Sequence, residues 1–225
     1  MANPDFGVVF DLDDTLYLER DYVRSGFRAV GDWCARNLRL HGVQDLAQEY
    51  FDQGRRGDIF DAVLDTLQAN LKIEAVSAMV RVYRQHAPQI AMPSDTVACL
   101  SRLQGVFHLG LLTDGDSKSQ WAKIEALGIR EFFDAIVVTG DWGPGYSKPN
   151  VRGFRDLETQ LSSSRFIYVA DNPVKDFIAP RVLGWEAIRV KRDAGLYKDC
   201  QCPPGVLLCE MPDLSSLPDL LFKMH

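Results

Sequence analysis

At 225 residues the chain is longer than one domain of about 150 residues and shorter than two, so a single core carrying an insertion fits it best. Hydrophobic residues make up 46% and charged residues 25%, which excludes disordered, collagen-like and low-complexity classes. A formal net charge of -6 argues against nucleic-acid binding while leaving room for a local cationic pocket. No apolar run reaches the roughly 18 residues of a membrane span, and the N-terminus turns acidic too early for a signal peptide. The expectation is a cytoplasmic protein with no nucleic-acid or membrane partner.

The first apolar run, Val8 to Phe10, ends in Asp11-Leu12-Asp13-Asp14-Thr15. Residues two apart on extended chain project to the same side, so Asp11 and Asp13 are able to face one pocket; Asp14 or Thr15 serves equally well as a helix cap. About 75 residues then follow without a comparable strand. Phe27, Val30, Trp33 and Cys34 form one helical face, and Ile59, Phe60, Val63, Leu64, Leu67 and Leu71 another. This segment, 18–92, is predicted as a helical insertion closing over the sheet's carboxyl edge, hinged near Leu18 and at Pro93. Inside it, Gly54-Arg55-Arg56-Gly57 links two predicted helices. Two guanidinium groups between flexible glycines suit a phosphate, carboxylate or sugar hydroxyl, and equally a solvated turn before a helix capped by Asp58. Arg20 and Arg24 offer a comparable guess. Tyr17 is a candidate apolar wall, and Phe60 fits core packing better.

Residues 1–17 and 93–225 are predicted as the core. Helices are expected over Asp95 to Leu103 (Val97, Leu100 and Leu103 inward), Ser117 to Leu127 (Trp121, Ile124 and Leu127 inward), Val151 to Leu161, Pro173 to Leu183, and from about Ser215. Gly128 and Gly184 stand at expected helix C-caps. Between the helices lie short, continuously apolar runs: Leu109 to Leu112, Ile136 to Val138, Phe166 to Ala170, Trp185 to Val190 and Val206 to Leu208. Such runs are strands of a parallel sheet covered on both faces, and the alternation predicts a doubly wound α/β fold. Ligands bind such sheets beyond the carboxyl strand ends, where strand order reverses. The residues ending these runs are therefore candidates for one site: Asp11; Thr113, Asp114 and Gly115; and Asp171. The Thr113 hydroxyl and following N–H groups suit a phosphate, with Gly115 allowing close approach, although Thr-Asp-Gly also spells a turn. Lys148 precedes Pro149 in a loop where a lysine is usually solvated, and Asp171 would also serve as a helix cap. Five cysteines agree with a reducing compartment. Cys200, Cys202 and Cys209, with His225, lack the paired spacing of a zinc site and read more simply as free thiols.

Phe10–Thr15 (FDLDDT), Leu111–Gly115 (LLTDG), Tyr146–Pro149 (YSKP) and Val169–Asp176 (VADNPVKD), in that order, resemble the four motifs of the haloacid dehalogenase superfamily. The insertion after the first motif is similar to that superfamily's C1 cap. Ala170 departs from a common glycine and Asp114 from a common asparagine. The resemblance implies that Asp11 is a nucleophile forming an aspartyl-phosphate. It implies that Asp13 protonates the leaving oxygen and then activates water, with a pKa raised by neighbouring carboxylates. Thr113 and Lys148 would stabilise the transferring group, and Asp114 and Gly115 would contact substrate. Mg²⁺ would be held by Asp11, the Asp13 carbonyl and Asp171, with Asp176 behind or bridged by water. At 4 Å and an effective dielectric of 20, each like-charge pair costs about 4 kcal/mol, so a phosphate approaching ionised Asp11 needs such cations.

Dehalogenase and phosphonatase relatives lack an acid at the Asp13 position, and the latter need a cap lysine; the insertion offers only Lys72. The resemblance thus implies a Mg²⁺-dependent phosphatase acting on a small phosphorylated metabolite, a sugar phosphate first. A nucleoside monophosphate phosphatase, a phosphomutase and a non-catalytic binding protein on the same scaffold are the alternatives.

Overall fold

A computed structural model of the protein describes residues 6–69 and 73–224; Leu71, Lys72 and His225 lie outside the described residues. The chain divides into two compact units. One comprises residues up to Glu19 and from Ala91 on, and the other comprises Arg20–Ile90.

The first unit is built on six strands, β1 (Phe6–Phe10), β2 (His108–Thr113), β3 (Ala135–Val138), β4 (Arg165–Ala170), β5 (Glu186–Val190) and β6 (Cys209–Met211). All neighbours run parallel, in the order β3-β2-β1-β4-β5-β6. Every residue of β1 is buried, as a strand covered on both faces must be. Order steps one way from β1 to β3 and the other way from β4 to β6. The carboxyl ends of β1 and β4, with Phe10 opposite Val169, therefore flank the point of reversal where such sheets take ligands. Phe154 packs edge-on against Tyr168 and Trp185, centroids 5.0 and 5.4 Å away, in the core on one face of the sheet.

The second unit contains α1 (Glu19–Leu38, whose first residue belongs to the first unit), α2 (Val43–Asp52), α3 (Ile59–Thr66) and α4 (Ile73–Gln85). Its own core gathers around Phe27, whose ring lies 6.2, 6.0 and 5.6 Å from those of Phe51, Phe60 and Tyr83. Val30 and Cys34 are buried, Trp33 half-buried, and Phe60 is a core residue.

The crossovers of the sheet use α5 (Ser94–Leu103), α6 (Ser117–Leu127), α7 (Arg152–Leu161) and α8 (Ile178–Leu183), and α9 (Leu217–Met224) closes the described chain. Gly128 and Gly184 end α6 and α8 in the left-handed conformation. Four expectations need correction. Val97 is exposed, and α5 buries Thr96, Cys99, Leu100 and Leu103. Trp121 is half-buried, because the inward stripe of α6 carries Gln120 and Lys123 beside Ile124 and Leu127. Residues 173–177 are turn, not helix, because side chains claim the backbone there. The Asp176 carboxylate accepts the Asn172 N–H (3.0 Å), and the Asn172 side chain accepts that of Val174 (2.9 Å), bonds that compete with a helical ladder. The last strand lies at Cys209–Met211; Val206 and Leu207 are apolar because they pack on the core, without ladder pairing. Cys200, Cys202 and Cys209 are free thiols, and no described helix is long and apolar enough to cross a membrane.

Candidate active site

Asp11 leaves the end of β1 while its N–H still donates to the Val169 carbonyl of β4 (2.9 Å), so the ladder itself delivers this carboxylate to the reversal point. The following turn is held by Asp14, in the left-handed region at φ 54. Its two oxygens accept the N–H of Glu19 (2.8 Å) and of Leu196 (2.7 Å). Asp11, Asp13, Asp114, Gly115 and Asp171 line one cleft of about 280 Å³, together with Glu19, Gln120, Lys123 and Lys175.

Beneath it, the fully buried Lys148 ammonium bonds the Asp11 carboxylate, the Asp176 carboxylate (2.9 Å) and the Tyr168 hydroxyl (2.9 Å). Burial opposes its charge, but Asp11 and Asp176 outweigh burial and hold its pKa well above the ordinary lysine value. Asp11, Asp171 and Asp176 bring carboxylate oxygens within 4.8 Å of one another, all three residues buried. Crowding has its electrostatic consequence. Burial, Asp11 and Asp176 push the Asp171 carboxyl up to about 10. Burial and Asp176 raise Asp11 to about 6 against the pull of Lys148. Three buried oxygen donors short of positive charge are a donor set that suits a hard divalent cation such as Mg²⁺.

Asp13 departs from expectation. Lys123 of α6 reaches both of its oxygens, at 2.7 and 3.0 Å, and the Tyr17 hydroxyl donates to one of them. Burial raises its pKa, but Lys123 and Tyr17 prevail and hold it below the ordinary carboxylate value. The nearest charge is a cation and not a carboxylate, so the expected elevation is reversed. Tyr17, expected as an apolar wall, is a buried hydrogen-bond donor.

The β2 end also differs in detail. The Thr113 hydroxyl donates to the Gln120 side chain (3.0 Å), and the cleft wall there is Asp114 and Gly115. Asp114 accepts the Thr139 hydroxyl (2.9 Å) and the Lys148 N–H (3.1 Å) on one oxygen and pairs with Lys175 (3.1 Å) on the other. Burial raises its pKa, but Lys148 and Lys175 hold it below the usual range. Gly115 runs at φ 136, and a Cβ on Gly140 would lie 2.0 Å from the Gly115 carbonyl oxygen. Only a glycine at 140 lets the loops after β2 and β3 approach so closely.

Arg55 and Arg56 belong to the other unit and are engaged locally. Arg55 forms a two-pronged pair with Asp58, both contacts 2.8 Å, and Arg56 lies 3.8 Å over the Phe51 ring. Sequence reasoning missed Lys123, Lys175, Glu19 and Gln120. Polar residues at 120 and 123, on the same stripe of α6 as Ile124 and Leu127, were the one available signal for two of them.

A parallel sheet with carboxylates from two strand ends, a buried lysine and a third acid from the following turn defines a hydrolase of one superfamily. The chain belongs to the haloacid dehalogenase-like hydrolases, whose family model matches residues 7–184. It is 27% identical over 205 residues to the glyceraldehyde 3-phosphate phosphatase of Methanocaldococcus jannaschii, covering 87% of this chain and 88% of that one. It is 29% identical over 208 residues to the protein of that name from Methanopyrus kandleri, covering 86% of each. The fold is shared with a 2-haloacid dehalogenase from Pseudomonas syringae, at 21% identity and TM-score 0.65 over 97% of this chain and 99% of that one.

Proposed function

We propose that the protein is a Mg²⁺-dependent phosphatase that hydrolyses a small phosphomonoester, a sugar phosphate of triose size by preference, through an aspartyl-phosphate on Asp11. The observation that carries this reading is the meeting of Asp11, Asp13 and Asp171 in one cleft of about 280 Å³, room for a phosphoryl group and a short carbon chain. The phosphatases of two archaea that match most of this chain act, by name, on a triose phosphate. Likeness of fold to a dehalogenase carries no activity; Asp13, a side chain equipped to move protons, favours phosphoryl transfer.

In this reading Asp11, ionised above about pH 6, attacks phosphorus, and Lys148 keeps that carboxylate charged and aimed. Asp13 rests ionised under Lys123 and Tyr17, the state in which it acts as base toward the water that cleaves the intermediate. An arriving phosphate dianion adds negative charge beside Asp13 and raises its proton affinity. Asp13 thereby takes up a proton from solvent as substrate binds, gives it to the leaving oxygen, and as carboxylate then takes one from the attacking water. Asp11, Asp171 and Asp176 would hold Mg²⁺, with the Asp13 carbonyl, and the ion would supply positive charge to the phosphoryl oxygens. The Arg20–Ile90 unit is assigned as a cap that selects the substrate, spanning 18–92 with its connections. Arg55 and Arg56 remain candidates within it, and nothing in the proposal depends on them.

The test is phosphate release from a panel of triose, pentose and hexose phosphates and nucleoside 5′-monophosphates, with Mg²⁺ or with a chelator. Turnover fastest on triose phosphates and abolished by chelator is expected. Isomerisation without phosphate release would indicate a mutase. Absence of turnover on every ester would overturn the proposal in favour of a binding protein.

A further inference from the structure

The cleft meant to receive a phosphate is lined by five acids, Asp11, Asp13, Glu19, Asp114 and Asp171, against two ammonium groups, those of Lys123 and Lys175. Lys123 is committed to both oxygens of Asp13. Lys148, with its side chain wholly buried, is committed below the cleft to Asp11 and Asp176. Lys175 differs from both: its side chain is 34% exposed, and it contacts a single carboxylate oxygen, Asp114 Oδ2 at 3.1 Å. An ammonium carries three donors, so Lys175 retains donors for a ligand in the cleft it lines.

Resting on the phosphatase reading, we propose that Lys175 binds the nonbridging oxygens of the substrate's phosphoryl group and that Asp114 is the residue that positions it. Asp114 is otherwise hard to explain, since an ionised carboxylate on the wall of an anion site repels the ligand. Its geometry supplies the reason. One oxygen takes the Thr139 hydroxyl and the Lys148 N–H, which ties the carboxylate to two loops, and the other is left to orient Lys175. An amide in that place would keep the first pair of bonds and turn an N–H group toward the ammonium, donor against donor. Asp114 and Lys175 thus form one unit: the lysine cancels the carboxylate's charge and adds hydrogen bonds to the phosphate, and the carboxylate fixes the lysine.

A double-mutant cycle on the full chain with Mg²⁺ tests this, with inorganic phosphate as the binding probe and triose phosphate as substrate. Lys175→Met leaves Asp114 ionised and uncompensated, and should weaken phosphate inhibition and raise KM by about tenfold or more. Adding Asp114→Asn to Lys175→Met should recover part of that loss and not all of it, because the repelling charge goes while the lysine's hydrogen bonds to phosphate stay lost. Lys175→Arg should bind phosphate within a fewfold of wild type. A lysine that merely braced the 173–177 turn would give no recovery on adding Asp114→Asn. Additive effects of the two substitutions, or Lys175→Met binding phosphate as wild type does, overturn the proposal. A wild-type protein that neither hydrolyses phosphomonoesters nor binds inorganic phosphate overturns the phosphatase reading instead.

Discussion

Lys148 illustrates how single residues divide their work between stability and chemistry. Its ammonium answers two buried carboxylates at once, those of Asp11 and Asp176, and none of its side chain is exposed. Removing one partner of a buried ion pair leaves an uncompensated charge and costs about 3–5 kcal/mol. Lys148→Met should therefore lower metal-free stability by about that amount in denaturant titrations, besides reducing kcat. A variant as stable as wild type would show that the carboxylates have other compensation. At the same scale, Gly140→Ala should perturb the site without touching substrate, because the added Cβ meets the Gly115 carbonyl at 2.0 Å. Forcing the loops apart costs about 1–3 kcal/mol. A thermal melt and a KM unchanged from wild type would contradict this.

Elements are tied to the site by a second buried cation. Arg192, beyond β5, donates to the Thr15 carbonyl (3.0 Å), the Thr96 hydroxyl (2.8 Å) and the Asp95 carboxylate (2.9 Å). Asp95 also accepts the Leu214 N–H (3.0 Å). These bonds join the turn after β1, the start of α5 and the segment before α9. Burial raises the Asp95 pKa, but Arg192 and the Leu214 N–H outweigh it and hold the carboxyl below its ordinary 3.8. The folded state binds this proton less tightly than the unfolded chain. The stabilisation is thus full above pH 3.8 and is lost as pH falls through the lower folded value. Asp95→Asn should cost about 3 kcal/mol near neutrality, with the gap to wild type closing in acid. A gap that persists unchanged in acid would contradict the ion-pair origin.

The apolar runs before Asp11, Thr113 and Asp171 sufficed to recognise the strands, because a strand covered on both faces must be apolar throughout. The same reasoning failed at Val206–Leu208, where Val206 and Leu207 pack on the core without ladder pairing and Leu208 is exposed, its N–H alone donating to the Ala187 carbonyl (2.7 Å). It failed again at 173–177, where Asn172 and Asp176 side chains displaced the helix. Within the candidate site, Asp11, Asp114 and Asp171 were legible as polar residues at the ends of those runs, whereas Lys148 stood out only through the resemblance of its motif to the superfamily's. The Lys123–Asp13 pair joins residues 110 apart in the chain, and no local pattern encodes such a contact. For that reason the direction of the Asp13 shift was missed.

At the scale of the molecule, charge in the cleft links protons to metal. Asp171 is raised to about 10 and Asp11 to about 6, so the folded metal-free protein holds the Asp171 proton through the neutral range. The unfolded chain does not hold it, and metal-free stability should fall as pH climbs from the ordinary carboxylate value toward 10. On the proposed function, Mg²⁺ bound by Asp11, Asp171 and Asp176 would have to displace that proton. Calorimetry in two buffers of different ionisation heat should find about one proton released per ion near neutrality, with affinity rising between about pH 6 and 8. Flat affinity with no proton release would mean that the ion binds elsewhere.

The most direct measurement is acid quenching of a single turnover with a phosphoryl-labelled triose phosphate, followed by peptide mapping of the trapped protein. The expected result is label on the peptide that carries Asp11, present with Mg²⁺ and absent from Asp11→Asn. Phosphate released at full rate with no label on that peptide, or with label on another residue, would contradict it.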